Sequence, residues 1–190
     1  MRISGGRARG IPLQVPKGDA VRPATDGMRQ AAFSSLGARV AGARFLDLFA
    51  GSGAYGLEAY SRGAAGGVFV EQNAKALACL RQNVAAVAKS VGGSPADLTV
   101  VGGDARTLPH IGEPPDLVFI DPPYPLIAEV AGPLFVRLGE LLAPRPDALV
   151  VFELPGEMEL APSGWTLRKR LGKGARQPTV AFFSRSQPAA

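Results

Sequence analysis

The chain has 190 residues, enough for one sizeable core and short for two, and its 46% hydrophobic and 19% charged side chains belong to a folded protein rather than a disordered one. No apolar run approaches the roughly 20 residues of a membrane span, no apolar signal core follows the first residues, and the single cysteine, Cys79, excludes an internal disulfide or a cysteine-rich zinc cluster, so a cytoplasmic protein with no membrane partner is expected. The net charge of +5 is segregated: residues 1–44 carry +6, residues 45–167 carry −7 and residues 168–185 carry +6. Basic ends around an acidic centre suggest a polyanion gripped by the ends, the bland alternative being solvated faces and a loose basic tail.

In chain order, "RISGGRARGIPLQVP" (Arg2–Pro16) mixes short apolar pieces with glycine and arginine and predicts a small hairpin or arm, an appendage to the main fold. After "RPATD" a helix is expected over Gly27–Val40, capped by Thr25 or Asp26, with Met28, Ala32, Phe33, Leu36 and Val40 as its apolar stripe. From Phe45 onward, short buried strands alternate with helical stretches, as a parallel sheet requires. The predicted strands are Arg44–Leu48, Gly67–Val70, Leu98–Val101, Leu117–Ile120 and Leu149–Phe152. The clearest helix is Ala74–Lys89, with Leu77, Leu80, Val84 and Val87 on one face, while Pro133 should interrupt or restart the helical piece from Leu126 to Leu142. Two further runs, Thr166–Leu171 and Thr179–Ser184, follow without a helix between them and predict an antiparallel hairpin at the end of the sheet.

Three features carry chemistry. "FLDLFAGSGAYGLEAY" sets Gly51, Gly53 and Gly56 between a strand and a helix, where backbone without Cβ can approach a ligand beside helix-terminal N–H groups. Glu71 ends the next strand, 20 residues after Gly51, where an acid can accept from both hydroxyls of a ribose. Asp47, just before the glycines, would repel a pyrophosphate and suits a ligand bearing an ammonium and a sulfonium. Asp104, after the third strand, sits where it or its neighbouring backbone could reach an adenine amino group. Each acid alone could be a helix cap or a solvated loop residue; three at the ends of three successive strands are harder to dismiss. In "LVFIDPPYP" (Leu117–Pro125) two prolines end the ladder donors and fix the backbone, so Asp121 and Tyr124 must project from a rigid turn at the strand's C-terminal edge, where α/β sheets bind ligands.

Taken together, Asp47-Leu-Phe-Ala-Gly-Ser-Gly, Glu71, Asp104 and Asp121-Pro-Pro-Tyr resemble the class I S-adenosylmethionine-dependent methyltransferases, in the branch that methylates exocyclic amino groups. "RISGGRARG", "RPATD", "FSSL" and "FAGSGAYGLEA" are similar to the RsmD-like family, which methylates a guanine N2 amine in bacterial 16S ribosomal RNA. The resemblance covers residues 2 to about 154 well and the terminal hairpin loosely; Gly27-Met28-Arg29-Gln30 departs from the family's Arg-Val-Arg-Glu. It implies a Rossmann-like, mostly parallel seven-stranded sheet with a C-terminal antiparallel hairpin, and a methyltransferase domain over residues 44–186. Residues 1–43 become a basic arm and helix that bind RNA. The cofactor is S-adenosyl-L-methionine, held by Asp47, Phe49, Gly51, Ser52, Gly53, Glu71, Gln72, Asp104, Ala105 and Asp121, with no metal. Arg2, Arg7, Arg9, Arg22 and Arg29 contact the substrate, ribosomal RNA within the small subunit or its assembly intermediate, and a monomer is favoured.

The amine's lone pair is delocalised into its ring until its hydrogens are held out of plane. On this reading Asp121 and the Pro122 carbonyl accept those hydrogens while Tyr124 stacks on the extruded base. The alternatives are a DNA adenine-N6 or cytosine-N4 methyltransferase, a nicotinamide-dependent oxidoreductase resting only on the glycine loop and Glu71, and a non-catalytic RNA-binding module. His110 reads as a surface residue, Cys79 as a small core residue, Trp165 as packing for the terminal hairpin, and Glu153 as either a contact to RNA or base or a structural acid.

Overall fold

Short apolar runs separated by glycine, proline and polar turns fold here as a single seven-stranded sheet. The computed structural model describes residues 1–16, 26–108, 111–172, 174 and 177–186. The elements are α1 (Asp26–Leu36), β1 (Arg44–Leu48), α2 (Ala54–Ser61), β2 (Gly66–Glu71), α3 (Ala74–Val91), β3 (Leu98–Gly102), β4 (Leu117–Ile120), α4 (Ile127–Leu141), β5 (Leu149–Pro155), β6 (Trp165–Leu171) and β7 (Pro178–Arg185). The strand order is β3-β2-β1-β4-β5-β7-β6; the first five are mutually parallel, and β7 runs antiparallel to both neighbours. The order reverses between β1 and β4, which makes the crevice outside their C-terminal ends the expected ligand site.

Both faces of the sheet are covered, which is why the central strands are apolar on both sides. On one face Phe45, Phe69, Phe119 and Val180 pack against Phe33 of α1, Tyr55 and Leu57 of α2, and Leu80, Val84 and Val87 of α3. On the other, Leu46, Leu48, Ile120, Phe152 and Phe183 pack against α4 through Leu134, Phe135 and Leu138. Trp165 closes this second layer, edge-on to Phe135 and donating its indole N–H to the Phe135 carbonyl at 3.1 Å.

Three expectations are corrected. The helix predicted to Val40 is α-helical only to Leu36 and tightens into a 3₁₀ turn over Gly37–Val40. Pro133 does not break α4, because it lies on the exposed face and the carbonyl it leaves without a donor, that of exposed Glu129, can be solvated. The N-terminal hairpin forms, closed by the Arg2–Pro12 bridge, but is packed into the fold rather than an appendage to it: Ile3, Ala8 and Leu13 are 0%, 1% and 5% exposed within the first core layer. Its backbone is bonded to α2, with Arg7 N–H donating to the Ser61 carbonyl at 2.8 Å and Ala8 N–H to Ser61 Oγ at 2.9 Å.

Candidate functional site

The ends of β1, β2 and β4 gather the motifs the sequence singled out. Past Leu48 the chain turns through Phe49 and Gly51, with φ of 59° and 54°. The left-handed conformation is ordinary for glycine and costly for phenylalanine, a strain that clusters at ligand sites. Gly53, at φ 80°, precedes α2; a Cβ on Gly56, in the first turn of α2, would come 2.4 Å from the Phe69 ring, so that glycine sets the close packing of α2 on the sheet.

Asp47, 2% exposed, accepts the Gly56 N–H at 2.8 Å and thereby caps α2. Burial pushes its carboxyl up to about 8, against that hydrogen bond and with the Glu71 charge adding to the rise. Glu71 accepts Gly51 N–H through one oxygen at 2.9 Å and Asn73 N–H through the other at 2.7 Å. Each carboxylate oxygen can accept two hydrogens, so Glu71 pins the loop and retains acceptor capacity toward the crevice. Ser52 is buried and Gln72 exposed.

Asp104 is used differently. It caps the short turn Ala105–Thr107 and takes both oxygens to the Arg106 guanidinium, which holds its carboxyl below the usual range. That geometry matches the helix-cap reading of Asp104; Ala105, which follows it, is buried.

Asp121 continues the ladder beyond β4, its N–H donating to the Leu48 carbonyl at 3.4 Å, so it stands beside the glycine loop at the reversal point of the sheet. Burial, then Glu153, then Asp47 raise its carboxyl well above the usual range. Pro122 is buried, Pro123 exposed and Tyr124 half-buried, opening the 3₁₀ turn that leads into α4. Arg2, Arg7 and Arg9 are exposed on the hairpin. Arg22 and His110 lie outside the described residues.

Arg29 corrects the sequence reading. It is 0% exposed, bonded to Asp26 at 2.8 Å and to the Arg2 carbonyl, and 3.5 Å from Glu58, so it cannot reach a phosphate. Three residues were missed, Glu58, Asn83 and Tyr55. Glu58, also 0% exposed, ties Arg29, Arg62 and both the N–H and hydroxyl of Ser4 together. Asn83 accepts Gln14 N–H and donates to the Gln14 and Ser52 carbonyls, linking hairpin, α3 and glycine loop. Its signal was a polar side chain on the apolar face of α3. Tyr55 lies stacked on Phe119 and donates to Glu153 at 2.8 Å; nothing local in the sequence announces that pair.

A mostly parallel sheet in this strand order, with a glycine turn, an acid after β2 and a half-buried acid at the reversal point, defines a class I methyltransferase fold. The family model described as "Conserved hypothetical protein 95" matches residues 1–183, and the chain belongs to this family, that of the RsmD-like methyltransferases. It is 34% identical over 188 residues to Ribosomal RNA small subunit methyltransferase D of Escherichia coli K12, covering 97% of this chain and 90% of the relative. Among solved structures, the Escherichia coli protein yhhF matches with a TM-score of 0.77 at 30% identity over 99% of both chains. A hypothetical protein of Thermus thermophilus matches with a TM-score of 0.68 at 33% identity over 96% of this chain and 98% of that one.

Proposed function

We propose that this chain transfers a methyl group from S-adenosyl-L-methionine to the exocyclic N2 amine of a guanine in small-subunit ribosomal RNA. The observation that carries this reading is the position of Asp121: a carboxylate at the reversal point of the sheet, beside the glycine loop, followed at once by two prolines and Tyr124. The donor set favours a cationic ligand, since Asp47, Asp121 and Glu153 have no ion pair within 4 Å among the described residues. Glu71 and the Ala105 backbone suit the ribose and base edge of the donor. The donor supplies an electrophilic methyl on a sulfonium; the chain's own work is to orient the amine. Asp121 and the Pro122 carbonyl accept its two hydrogens, Tyr124 stacks on the base, and the exposed Arg2, Arg7 and Arg9 hold phosphates.

The relative's name supports ribosomal RNA as the substrate class, and the basic flanks around an acidic centre agree with a polyanion. The test is transfer of a tritiated methyl group to ribosomal particles from a strain lacking the enzyme, followed by nucleoside analysis. Label in N2-methylguanosine is expected. Label in an adenine or cytosine nucleoside, or none, overturns the assignment.

A further inference from the structure

Glu153 is a buried carboxylate that the reading above uses only as one of the acids favouring a cationic ligand. It lies 3% exposed on β5, one residue past Phe152, the partner of Ile120 on β4. Asp121 is likewise one residue past Ile120, and neighbouring strands run about 4.8 Å apart. Alternation along the strands turns both carboxylates to the face on which Val180, the cross-strand partner of Glu153, joins the core beneath α1 to α3. Asp47 is on that face too, paired with Phe119. Tyr55 from α2, stacked on Phe119, fixes Glu153 by its hydroxyl.

The charged groups that face this trio are few. Arg29 of α1 acts on Glu153 and Tyr55 from a distance, but is itself committed to Asp26 and Glu58. Glu71 adds a further negative charge near Asp47, and β7 opposite Glu153 contributes only the apolar Val180. Among the described residues no group of three or more His, Cys, Asp or Glu could hold a metal ion. Protonation lowers the charge of these carboxylates, and an organic cation laid against them would offset what remains.

We propose that Glu153 is a positioning residue that sets the charge of Asp121: side by side, the two carboxylates share one proton in the free enzyme and release it only when a cationic methyl donor lies against them. This rests on the donor assigned above. During transfer the amine's lone pair forms the N–C bond as the S–C bond breaks, its electron pair remaining on sulfur. The positive charge moves to nitrogen, which loses a proton. With the sulfonium gone the carboxylates are again uncompensated, and Asp121, in contact with the amine, takes that proton. The pair returns to its resting state and the neutral thioether leaves a site no longer charged to hold it.

The test compares binding of S-adenosyl-L-methionine with that of its neutral product, S-adenosyl-L-homocysteine, by calorimetry between pH 6 and 8 in buffers of different ionisation enthalpy. With Glu153 raised to about 7 and Asp121 raised well above its usual range, the Glu153 charge is about a tenth present at pH 6 and about nine-tenths at pH 8. The affinity ratio of donor over product should therefore rise at least about tenfold across that range, with more protons released on binding donor than product. Glu153→Gln, which keeps an acceptor for Tyr55, should shrink the rise and lower the proton count by about one. Tyr55→Phe keeps the ring and removes the hydrogen bond that favours the Glu153 anion, so it should move the rise to higher pH. If both ligands bind wild type with the same pH dependence, the inference is overturned and the donor assignment stands. If neither binds, the donor assignment fails and takes the inference with it.

Discussion

Glu71→Ala separates the two tasks that the structure gives this carboxylate. In the free protein it accepts Gly51 N–H at 2.9 Å and Asn73 N–H at 2.7 Å, and on the proposed reading it also takes two ribose hydroxyls. Hydrogen bonds to a charged group contribute about 1.5–3 kcal/mol each when shielded, and less on a half-exposed residue such as this one. Loss of the two backbone contacts should therefore cost about 1–3 kcal/mol of stability, which for a chain of this length lowers the thermal midpoint by roughly 2–10 °C. Loss of the ribose contacts should raise the donor's dissociation constant by about 10- to 100-fold. Glu71→Gln is the sharper variant: its amide keeps one acceptor oxygen but turns an NH₂ toward the other backbone donor, so it should retain part of the stability and still lose affinity. The assays are differential scanning calorimetry without ligand and titration calorimetry with S-adenosyl-L-methionine. Saturating donor should restore much of the rate. A Glu71→Ala protein that melts lower but binds the donor as wild type does would refute the ribose assignment and leave Glu71 as a loop pin only.

Asp121→Ala should abolish methyl transfer while donor affinity stays within a few fold, because Asp47 and Glu153 remain on the same face to offset the donor's charge; loss of binding together with turnover in calorimetry would count against the assigned role. Tyr124→Phe should keep most activity and Tyr124→Ala lose most of it, since stacking contributes about 1–3 kcal/mol per base and needs only the ring; steady-state kinetics in which the Phe variant fails would move the role to the hydroxyl. Replacing Arg2, Arg7 and Arg9 together should flatten the dependence of RNA binding on log salt by roughly two or more, about 0.7–0.9 per lost phosphate contact; identical slopes would shift attention to the basic residues Arg168 and Lys169 on edge strand β6. The raised carboxyls of Asp47, at about 8, and Glu153, at about 7, favour the protonated folded state, so their contribution is complete below the unfolded carboxylate range and lost as pH rises through those values. The thermal midpoint without ligand should therefore fall between about pH 5 and pH 8.5, and a midpoint that rises over that interval would contradict the burial of these groups.

The strands were legible because a parallel sheet covered on both faces needs unbroken apolar runs, and the predictions for β1 and β4 match their observed bounds. The glycine turn and the acids at the strand ends were legible because their chemistry is local. The packing of the hairpin was not, since Ile3, Ala8 and Leu13 are spread too thinly among glycines and arginines to mark a face. Arg29 misled for a related reason: an arginine in a basic segment reads as surface, and its burial is created by Glu58, a residue on another helix that carries no signal in its own neighbourhood. Tyr55 and Glu153 are 98 positions apart, and only the register of β4 against β5 brings the acid beside Asp121.

Two of these unread residues share one consequence. They join the N-terminal hairpin or α1 to the elements that shape the crevice: Glu58 bonds Ser4 on the hairpin and Arg29 on α1, and Asn83 bonds Gln14 and the Ser52 carbonyl at once. A hairpin free to swing could carry basic side chains to a polyanion, but could not fix where that polyanion lies relative to Asp121. Bonded through Asn83 to the glycine loop itself, the hairpin carries Arg2, Arg7 and Arg9 in a fixed relation to the donor's loop. On the proposed reading, that rigid connection is what lets an extruded base and a methyl group meet in line.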